Sequence, residues 1–323
     1  MSKKNFALIG AAGYIAPRHM KAIADNGHNL SAAFDPHDCV GVLDNYFPQA
    51  SFFTEFERFD RHVDKVRREG SGIDYVSVCS PNYMHDAHIR FGLRNNANVI
   101  CEKPMVLNPW NLDALETIEA ESDHKLYNIL QLRLHPAIQQ LKQEVERGDK
   151  DKIYDINLTY ITGRGHWYHA SWKGNIQKSG GVVTNIGIHF FDVLLWVFGP
   201  VQKSIVHLHN HDRAAGFLQL RQANIRWFLS INADLIPEKV QNKRVYRSLQ
   251  FNEKPFDFSE GFDDLHTKSY EDILQGRGFY LDDCRPSIEL VYQIRNSQLS
   301  ALSGEFHPLA GKPLSPHPFS SRT

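Results

Sequence analysis

The sequence lacks the features of several protein classes. Its 323 residues carry 36 Lys and Arg against 37 Asp and Glu, so the formal net charge of -1 provides no general field for nucleic acid or anionic lipid. No apolar run approaches the length of a membrane span, and Gly10 and Gly13 break the N-terminal apolar stretch before it reaches signal-peptide length. The sequence therefore predicts neither a nucleic-acid partner nor a membrane partner.

Cysteine is scarce and unpatterned. The 4 cysteines form no pair with the two-residue spacing of thiolate metal sites, and they are Cys39, Cys79, Cys101 and Cys284. This usage is typical of a reducing compartment, so we expect a cytoplasmic protein without a metal site. The serine-hydrolase elbow, the zinc-protease helix and the P-loop are missing too, which leaves those enzyme classes without support.

Composition and length indicate a folded protein with two domains. Hydrophobic residues make up 42% of the chain and aromatic residues 11%, and domains run to roughly 150 residues. We expect a dinucleotide-binding domain over 1–125 and a substrate-binding and oligomerisation domain over 126–323. The predicted class is α/β, an N-terminal Rossmann domain followed by an α+β domain on a large, mostly antiparallel sheet.

The first half alternates short apolar runs with helical stretches. Strands are predicted at 6–10, 30–35, 74–80, 99–101 and 126–131. Helices are predicted at 14–26, 85–95 and 108–122. Alternation of this kind indicates a parallel sheet whose ligand lies beyond the carboxyl ends of the strands.

The second half is rich in strand patterns, which begin near residues 153, 204, 216, 225 and 245. Helical patterns return at 269–275 and 286–302, and the tail from residue 306 onward is expected to be loosely held. An uncovered sheet face would expose the apolar segment 225–231 to water. We therefore expect a homo-oligomer, either a dimer or a tetramer.

A glycine turn follows the first predicted strand. Gly10, Gly13 and Ala16 are spaced so that main-chain N–H groups and a helix N-terminus can face a pyrophosphate. Such a turn is often purely structural, but Asp35 ends the second strand, where a carboxylate can bind the adenosine ribose hydroxyls. The pair favours a dinucleotide, and the charge of Asp35 favours NAD over NADP.

Further segments carry a resemblance to a known family. They are Ser80-Pro81-Asn82 with His85, Glu102-Lys103-Pro104, the glycine-rich run from Gly180 to His189 with Asp192, and the closing segments 270–276 and 287–292. Together they resemble the glucose-fructose oxidoreductase, inositol dehydrogenase and MocA-like family over nearly the whole chain. Within it, residues 163–168 and 171–174 are similar to those of the UDP-N-acetylglucosaminuronate 3-dehydrogenases. The resemblance implies NAD-dependent oxidation of the sugar 3-hydroxyl of UDP-N-acetylglucosaminuronic acid, in lipopolysaccharide and O-antigen sugar biosynthesis.

Oxidation of an alcohol by NAD requires a proton acceptor close to the hydroxyl, and Lys103 and His189 are the candidates. Lys103 could instead form a surface salt bridge with Glu102, and His189 could be an ordinary core histidine. Asn185 stands where many relatives have an aspartate, and an amide cannot act as a base. The sequence leaves the choice between Lys103 and His189 open.

The remaining candidates are assigned by the same arguments and by the resemblance. The expected cofactor-binding residues are Gly10, Gly13, Tyr14, Ile15, Asp35, Ser80, Asn82, His85, Glu102, Lys103, Gln131, Trp167 and Tyr168. The expected substrate-binding residues are Lys103, Arg164, Trp172, Lys173, Ser179, Asn185 and His189. For the aromatic and basic residues of 163–179, ordinary loop packing explains the sequence almost as well.

Several alternatives stay open. The same machinery would serve a free sugar or polyol, or a non-catalytic NAD-binding sensor. NADH could leave after each cycle or be reoxidised in place by a 2-keto acid. His207, His209 and His211 alternate along a predicted strand, which fits a metal site less well than a polar sheet face or a subunit contact.

Overall fold

The structure is a computed structural model that describes residues 2–38, 40–240, 244–256 and 261–320. It divides the chain into two compact units, Met1–Leu134 with Asp263–Arg285 and His135–Phe262 with Pro286–Thr323. This division differs from the expected boundary at residue 125, because the strand that follows belongs to the first sheet and a later segment returns to that unit. Cys39 lies outside the described residues, whereas the other three cysteines are buried and form no disulfide bond with one another.

The first unit contains a parallel sheet of six strands in its described part, in the order β3-β2-β1-β4-β5-β6. The strands are β1 (Asn5–Ile9), β2 (Asn29–Phe34), β3 (Ser51–Phe53), β4 (Tyr75–Val78), β5 (Asn98–Cys101) and β6 (Leu126–Asn128). The helices are α1 (Ala16–Asp25), α2 (Val40–Asp44), α3 (Phe56–Arg68), α4 (His85–Arg94) and α5 (Pro109–Ala120). This is the predicted Rossmann architecture, with α2, β3 and α3 added.

The order of the strands reverses between β1 and β4, which lie side by side at the middle of the sheet. Both are almost wholly buried, as expected of strands covered on two faces. Ligands of such sheets bind beyond the carboxyl ends of the strands at this reversal. Gly10 follows β1 and the turn at Cys79 and Ser80 follows β4, so both turns lie at the edge where a ligand is expected.

The second unit is built on a mixed sheet in the order β12-β11-β7-β10-β9-β8. Only β7 and β10 pair in parallel among its described strands, which confirms the expected, mostly antiparallel sheet. The helices are α6 (Pro136–Arg147), α7 (His166–Ala170), α8 (Ile176–Ser179) and α9 (Ile188–Phe198). The strands are β7 (Tyr154–Thr162), β8 (Val201–His209), β9 (Arg213–Leu220), β10 (Ala223–Ser230), β11 (Val245–Phe251) and β12 (Lys254–Phe256).

Two helices follow the sheet of the second unit in the chain, α10 (Leu265–Leu274) and α11 (Leu281–Asn296). The sequence pattern predicts the last helix at 286–302, with a proline at its start. The helix instead begins five residues earlier. A carboxylate oxygen of Asp283 accepts the main-chain N–H of Tyr280 at 2.9 Å, a contact that caps the first turn ahead of Pro286.

The C-terminal tail packs on the second sheet, so the expectation of a loosely held tail is wrong for 306–320. The His307 ring stacks on Phe228 with 5.5 Å between ring centroids and lies 2.9 Å from the Thr159 hydroxyl. The buried Arg213 donates to the Pro313 carbonyl and to the Ser315 hydroxyl, both at 2.9 Å. Polar side chains and carbonyls make these contacts, which a composition rich in Pro, Ser and Gly does not reveal.

The apolar face that the sequence assigned to a subunit contact is also covered. Ile225, Trp227, Phe228 and Leu229 are fully buried within the single chain. Trp227 lies edge-on to Phe191 of α9 at 5.3 Å, whereas Phe228 meets the tail on the other side. The expectation that segment 225–231 is exposed and needs a second subunit to cover it is therefore wrong. The homo-oligomer remains a prediction without that support.

One described segment, Ile176–Phe198, is long and apolar enough to cross a membrane by length and composition. Of its most apolar window, 78% is buried inside the protein. Burial of this extent is what the core helix of a folded unit requires, because its apolar surface already meets other side chains.

Candidate active site

The glycine turn at the end of β1 fits closely against the end of β4. Gly10 has φ +93°, and a Cβ there would lie 2.7 Å from main-chain atoms of Cys79 and Ser80. Only glycine tolerates both the conformation and the approach. Gly13 follows with its N–H on the Gly10 carbonyl at 3.1 Å, and α1 begins three residues later. The turn thus has the geometry of a dinucleotide-binding turn, with Tyr14 exposed and Ile15 at the helix start.

Asp35 is held against this turn. Its Oδ2 accepts the main-chain N–H of Ala12 at 2.9 Å, and its Oδ1 accepts that of His37 at 3.0 Å. The carboxylate is nearly buried, and it places one negative charge at the edge of the sheet beside the glycine turn. This is where ribose hydroxyls of a dinucleotide are expected.

The candidate residues that follow β4, which are Ser80, Asn82 and His85, are buried. Ser80 Oγ lies 2.8 Å from His88 Nδ1, and Asn82 begins a short 3-10 turn. The two ring nitrogens of His85 lie 2.7 Å from the Pro104 carbonyl and 2.8 Å from the Ser80 carbonyl. Burial lowers the pKa of His85 against these two hydrogen bonds. A neutral imidazole has one N–H, so His85 can donate to one of these two carbonyls at a time, and its cofactor role stays a prediction.

Glu102 and Lys103 follow β5 at the same edge of the sheet. Glu102 Oε1 lies 3.0 Å from Nε2 of His19 on α1 and 3.0 Å from Nε2 of His266 on α10. Glu102 Oε2 accepts the main-chain N–H of Lys103 at 3.2 Å. The cofactor role expected of Glu102 stays a prediction. Both oxygens of its carboxylate already have hydrogen-bond partners in the protein.

The electrostatics of this group favour an ionised carboxylate that accepts from imidazole N–H groups. Burial opposes ionisation of Glu102, but the hydrogen bonds from His19 and His266 and the electrostatic attraction of the two rings together outweigh it and hold the pKa of its carboxyl well below the usual range. Burial lowers the pKa of His19, although the hydrogen bond to Glu102 acts to raise it. Both imidazoles can then donate an N–H to the carboxylate.

Two histidines and a carboxylate are also a donor set that divalent metals accept. Among the described residues this is the group whose ligand atoms approach one another within 4.8 Å. However, each nitrogen to oxygen distance of 3.0 Å is that of a hydrogen bond, and each group has a donor or acceptor to offer. His207 contacts carbonyls of the tail, whereas His211 lies near His169 and His317, so these two alternating histidines do not converge.

Gln131 presents a polar atom that no described protein group satisfies. It follows β6 at the start of a 3-10 turn, and its Oε1 is buried without a hydrogen-bond partner. An unmet buried acceptor costs about 1–3 kcal/mol. A ligand N–H at this edge of the sheet would remove that cost, so the residue fits a cofactor-binding role.

The second unit places its candidates around α7 and α9. Asn185 Nδ2 donates to the hydroxyl of Tyr168 at 3.0 Å, whereas Trp167 is more than half exposed. Burial raises the pKa of Tyr168, and the Asn185 hydrogen bond and the Arg164 charge oppose it. Asn185 lies in a π-helical turn, 183–187, of the kind common at functional sites, and His189 follows one turn later.

Gly187 positions this turn. A Cβ at Gly187 would lie 2.5 Å from Leu229 Cδ1 and 2.9 Å from the Phe191 ring, so glycine lets the helix approach β10 closely. Ser179 is buried, and its hydroxyl accepts the N–H of Gly181 at 3.0 Å. Lys173 Nζ lies 4.4 Å from the centroid of the Trp172 ring, so that ring face already has a cation on it.

Sequence reasoning did not find His19, His266 or the partners of Tyr270. Their contacts join residues 83 and more positions apart in the chain, and single histidines on helices carry no motif. The sequence offered only weak indications of these residues. Tyr270 belongs to segment 270–276, which resembles the family, and His19 lies on the buried face of α1.

Two family models match the chain. One describes an oxidoreductase family with an NAD-binding Rossmann fold and matches residues 4–129. The other describes the C-terminal alpha/beta domain of the oxidoreductase family and matches residues 142–235. The chain therefore belongs to this family, that of glucose-fructose oxidoreductase, inositol dehydrogenase and MocA-like proteins.

Solved structures give a closer comparison. The WlbA (WbpB) dehydrogenase from Thermus thermophilus in complex with NAD and UDP-GlcNAcA is 45% identical, covers 95% of this chain and 99% of its own, and has a TM-score of 0.91. A complex of that dehydrogenase with NAD and alpha-ketoglutarate is 46% identical over 93% and 97% of the two chains, with a TM-score of 0.89. D-glucoside 3-dehydrogenase from Escherichia coli (strain K12) is 30% identical over 41% of this chain, and the match spans only 38% of that protein.

Proposed function

We propose that this chain oxidises the 3-hydroxyl of UDP-N-acetylglucosaminuronic acid to a ketone with NAD as hydride acceptor. The observation that carries the proposal is the likeness, at 45% identity over nearly the whole of both chains, to a dehydrogenase solved with NAD and UDP-GlcNAcA. A free sugar or polyol remains the alternative substrate class, because other members of the family act on such compounds.

The reaction requires one proton acceptor from the protein. When bound, NAD accepts the hydride from C3 of the sugar, and the hydroxyl proton must pass to a side chain as the ketone forms. Lys103 at the end of β5 and His189 on α9 are the two proposed acceptors. Asn185 hydrogen-bonds Tyr168, and we assign it the orientation of the substrate rather than the transfer of a proton.

Residues of the first unit support the cofactor. Asp35 places a carboxylate beside the glycine turn, where it suits ribose hydroxyls and repels the 2′-phosphate of NADP. Gln131 offers a buried acceptor that an N–H of the cofactor would satisfy. Ser80, Asn82 and Glu102 line the same edge of the sheet.

Residues of the second unit support the charged substrate. A UDP-linked hexuronate carries a diphosphate and a carboxylate, which call for cations with directed donors. Arg164 is exposed next to α7, and Lys173 lies on a short turn after it. Trp172 and Ser179 complete the proposed substrate residues.

The test is a turnover assay with matched substrates. Purified protein is mixed with NAD and either UDP-GlcNAcA or myo-inositol, and NADH absorbance is followed. Formation of NADH with UDP-GlcNAcA alone supports the proposal. Formation of NADH with inositol alone supports the polyol alternative instead. Tight NAD binding without turnover on a panel of sugar nucleotides and free sugars would favour a non-catalytic NAD sensor.

A variant identifies the acceptor. Lys103→Ala is expected to lower turnover about a hundredfold or more, since general base catalysis contributes that much, with little change in NAD affinity. Full turnover in this variant removes Lys103 from the mechanism and leaves His189.

Recycling of the cofactor is a second candidate activity, favoured by the alpha-ketoglutarate complex of the Thermus thermophilus dehydrogenase. A 2-keto acid would take hydride from NADH and a proton from solvent, which gives the 2-hydroxy acid and restores NAD. With a trace of NAD, added alpha-ketoglutarate should then raise the yield of 3-keto sugar to many turnovers for each NAD. A yield limited to the NAD supplied would contradict recycling.

The product suits lipopolysaccharide and O-antigen sugar assembly, because a 3-keto sugar nucleotide is a substrate for transamination to an amino sugar. We place the enzyme in the cytoplasm, as a homo-oligomer, and size-exclusion chromatography with light scattering measures the number of subunits.

A further inference from the structure

Five buried side chains of the first unit join three elements to the segment after β5, next to Lys103. This group, the Glu102 cluster, consists of Ser77 on β4, Tyr270 and His266 on α10, His19 on α1, and Glu102 after β5. All five are almost fully buried. Burial of polar atoms is costly unless each atom is hydrogen-bonded, so five buried polar side chains in this position need an explanation.

The hydrogen atoms of the cluster can be placed in one consistent order. Ionised Glu102 only accepts, so His19 donates from Nε2 and must accept at Nδ1. The hydroxyl of Tyr270, 2.7 Å from that Nδ1, therefore donates to it. Ser77 Oγ, 2.7 Å from the Tyr270 oxygen, donates in turn. Each hydrogen bond of this series then has one donor and one acceptor. The series runs from Ser77 through Tyr270 and His19 and ends at Glu102.

The cluster acts on the chain at Lys103. Glu102 Oε1 receives the two imidazoles at 3.0 Å, which leaves Oε2 directed to the Lys103 main-chain N–H at 3.2 Å. The carboxylate plane is thus set by two helices that come from distant parts of the sequence. One of them, α1, begins at the glycine turn.

We propose that His19 and His266 are positioning residues for Lys103, because they fix the Glu102 carboxylate that holds the main-chain N–H of Lys103. This inference rests on the proposed function, in which Lys103 contacts the reacting alcohol. The side chain of Lys103 leaves the chain one bond from that N–H. Loss of one imidazole donor therefore moves the ammonium group while the glycine turn and Asp35 stay in place.

The experiment compares His266→Leu, which removes the donor, with His266→Gln, whose amide can still donate to Glu102. Lys268→Leu, an exposed position on the same helix, is the matched control. His266→Leu is expected to lower kcat with UDP-GlcNAcA about tenfold to a hundredfold, as for misplacement of a catalytic group by about 1 Å. KM for the sugar nucleotide and the Kd of NAD should change much less than kcat, and His266→Gln should recover much of kcat.

Amide hydrogen exchange at Lys103, followed by mass spectrometry on overlapping peptides that begin at or before residue 101, gives a readout that needs no substrate. Faster exchange at Lys103 is expected in His266→Leu and slower, near-native exchange in His266→Gln. His19→Leu and His19→Gln provide the same comparison on α1 if His266→Leu does not fold.

Each outcome decides the proposal. Native kcat in His266→Leu overturns it, as does equal loss of kcat and of thermal stability in both His266 variants, which is the pattern of a merely structural residue. A stoichiometric metal ion in the purified protein that His266→Leu removes would also overturn it. If the native protein turns over no substrate, the proposed function fails by itself, and exchange at Lys103 alone then supports or overturns the positioning role.

Discussion

The carboxylate of Asp35 accepts the main-chain N–H of Ala12 at 2.9 Å, so the end of the second strand is tied directly to the glycine turn after the first. The two residues are 23 positions apart. Asp35 therefore has two proposed roles. It holds the glycine turn in place, and its carboxylate binds the ribose of the cofactor.

Substitution of Asp35 tests both parts. Asp35→Ala is expected to weaken NAD binding about tenfold to a hundredfold, since a hydrogen bond to a charged group contributes about 1.5–3 kcal/mol. The affinity for NADP should fall less, because the repulsion of the 2′-phosphate is also lost. Calorimetric titration with both nucleotides measures this, with exposed Asp44→Ala as control. An unchanged Kd for NAD in Asp35→Ala would contradict the assignment.

The close approach at Gly10 gives a second prediction. Gly10→Ala places a Cβ 2.7 Å from main-chain atoms of Cys79 and Ser80 at φ +93°, so the turn must move. We expect a lower melting temperature and loss of measurable NAD binding. Gly41→Ala, where a Cβ meets no atom within 4 Å, should keep both. Native NAD affinity in Gly10→Ala would show that the turn is not the binding element.

These two predictions concern the part of the site that could be predicted from the sequence. The strand, the glycine turn and Asp35 are consecutive or separated by one helix, so local rules place them together. Strand β11 of the second unit likewise begins at residue 245, where the sequence pattern predicts it. Local patterns were sufficient wherever hydrogen bonds join neighbours in the chain or apolar residues repeat regularly.

Other elements were missed for physical reasons. Strand β3 has only three residues, and none is fully buried, so its sequence carries little apolar pattern. Helix α3 buries only Phe59 and Val63 among many charged residues. The contacts of Glu102 with His19 and His266, and those of the tail with Arg213, depend on the folded chain and have no sequence spacing to reveal them.

The tail contact predicts a pH dependence of stability. Burial lowers the pKa of His307 to about 4, from an ordinary value of 6.5. The unfolded chain therefore takes up this proton first as the pH falls, and the stabilisation, complete above the ordinary pKa, is lost between 6.5 and about 4. The full loss amounts to roughly 3 kcal/mol.

The measurement is thermal unfolding of the native protein and His307→Gln at about pH 7.5 and about pH 5. The variant should show the smaller drop in melting temperature, because Gln does not titrate and can still donate to Thr159. His88, whose pKa burial also lowers to about 4, acts equally in both proteins and cancels. Equal drops in the two proteins would contradict the buried, neutral state of His307.

Removal of Arg213 should release the tail. The guanidinium is fully buried, pairs with Asp212 at 2.8 and 2.9 Å, and donates to Pro313 and Ser315. Arg213→Met leaves Asp212 buried without its partner, a loss of about 3–5 kcal/mol. Limited proteolysis should then cleave residues 297–320 faster than in the native protein or in Lys203→Met, an exposed control on β8. A tail equally resistant in Arg213→Met would contradict its attachment through this residue.

Transfer of the hydrogen itself tests the central claim most directly. The protein is incubated with NAD and UDP-GlcNAcA that carries deuterium at C3 of the sugar, and the NADH formed is analysed by mass spectrometry. We expect NADH heavier by the mass of one deuterium in place of hydrogen, together with a 3-keto sugar nucleotide. NADH of ordinary mass, or no NADH from this substrate, would contradict it.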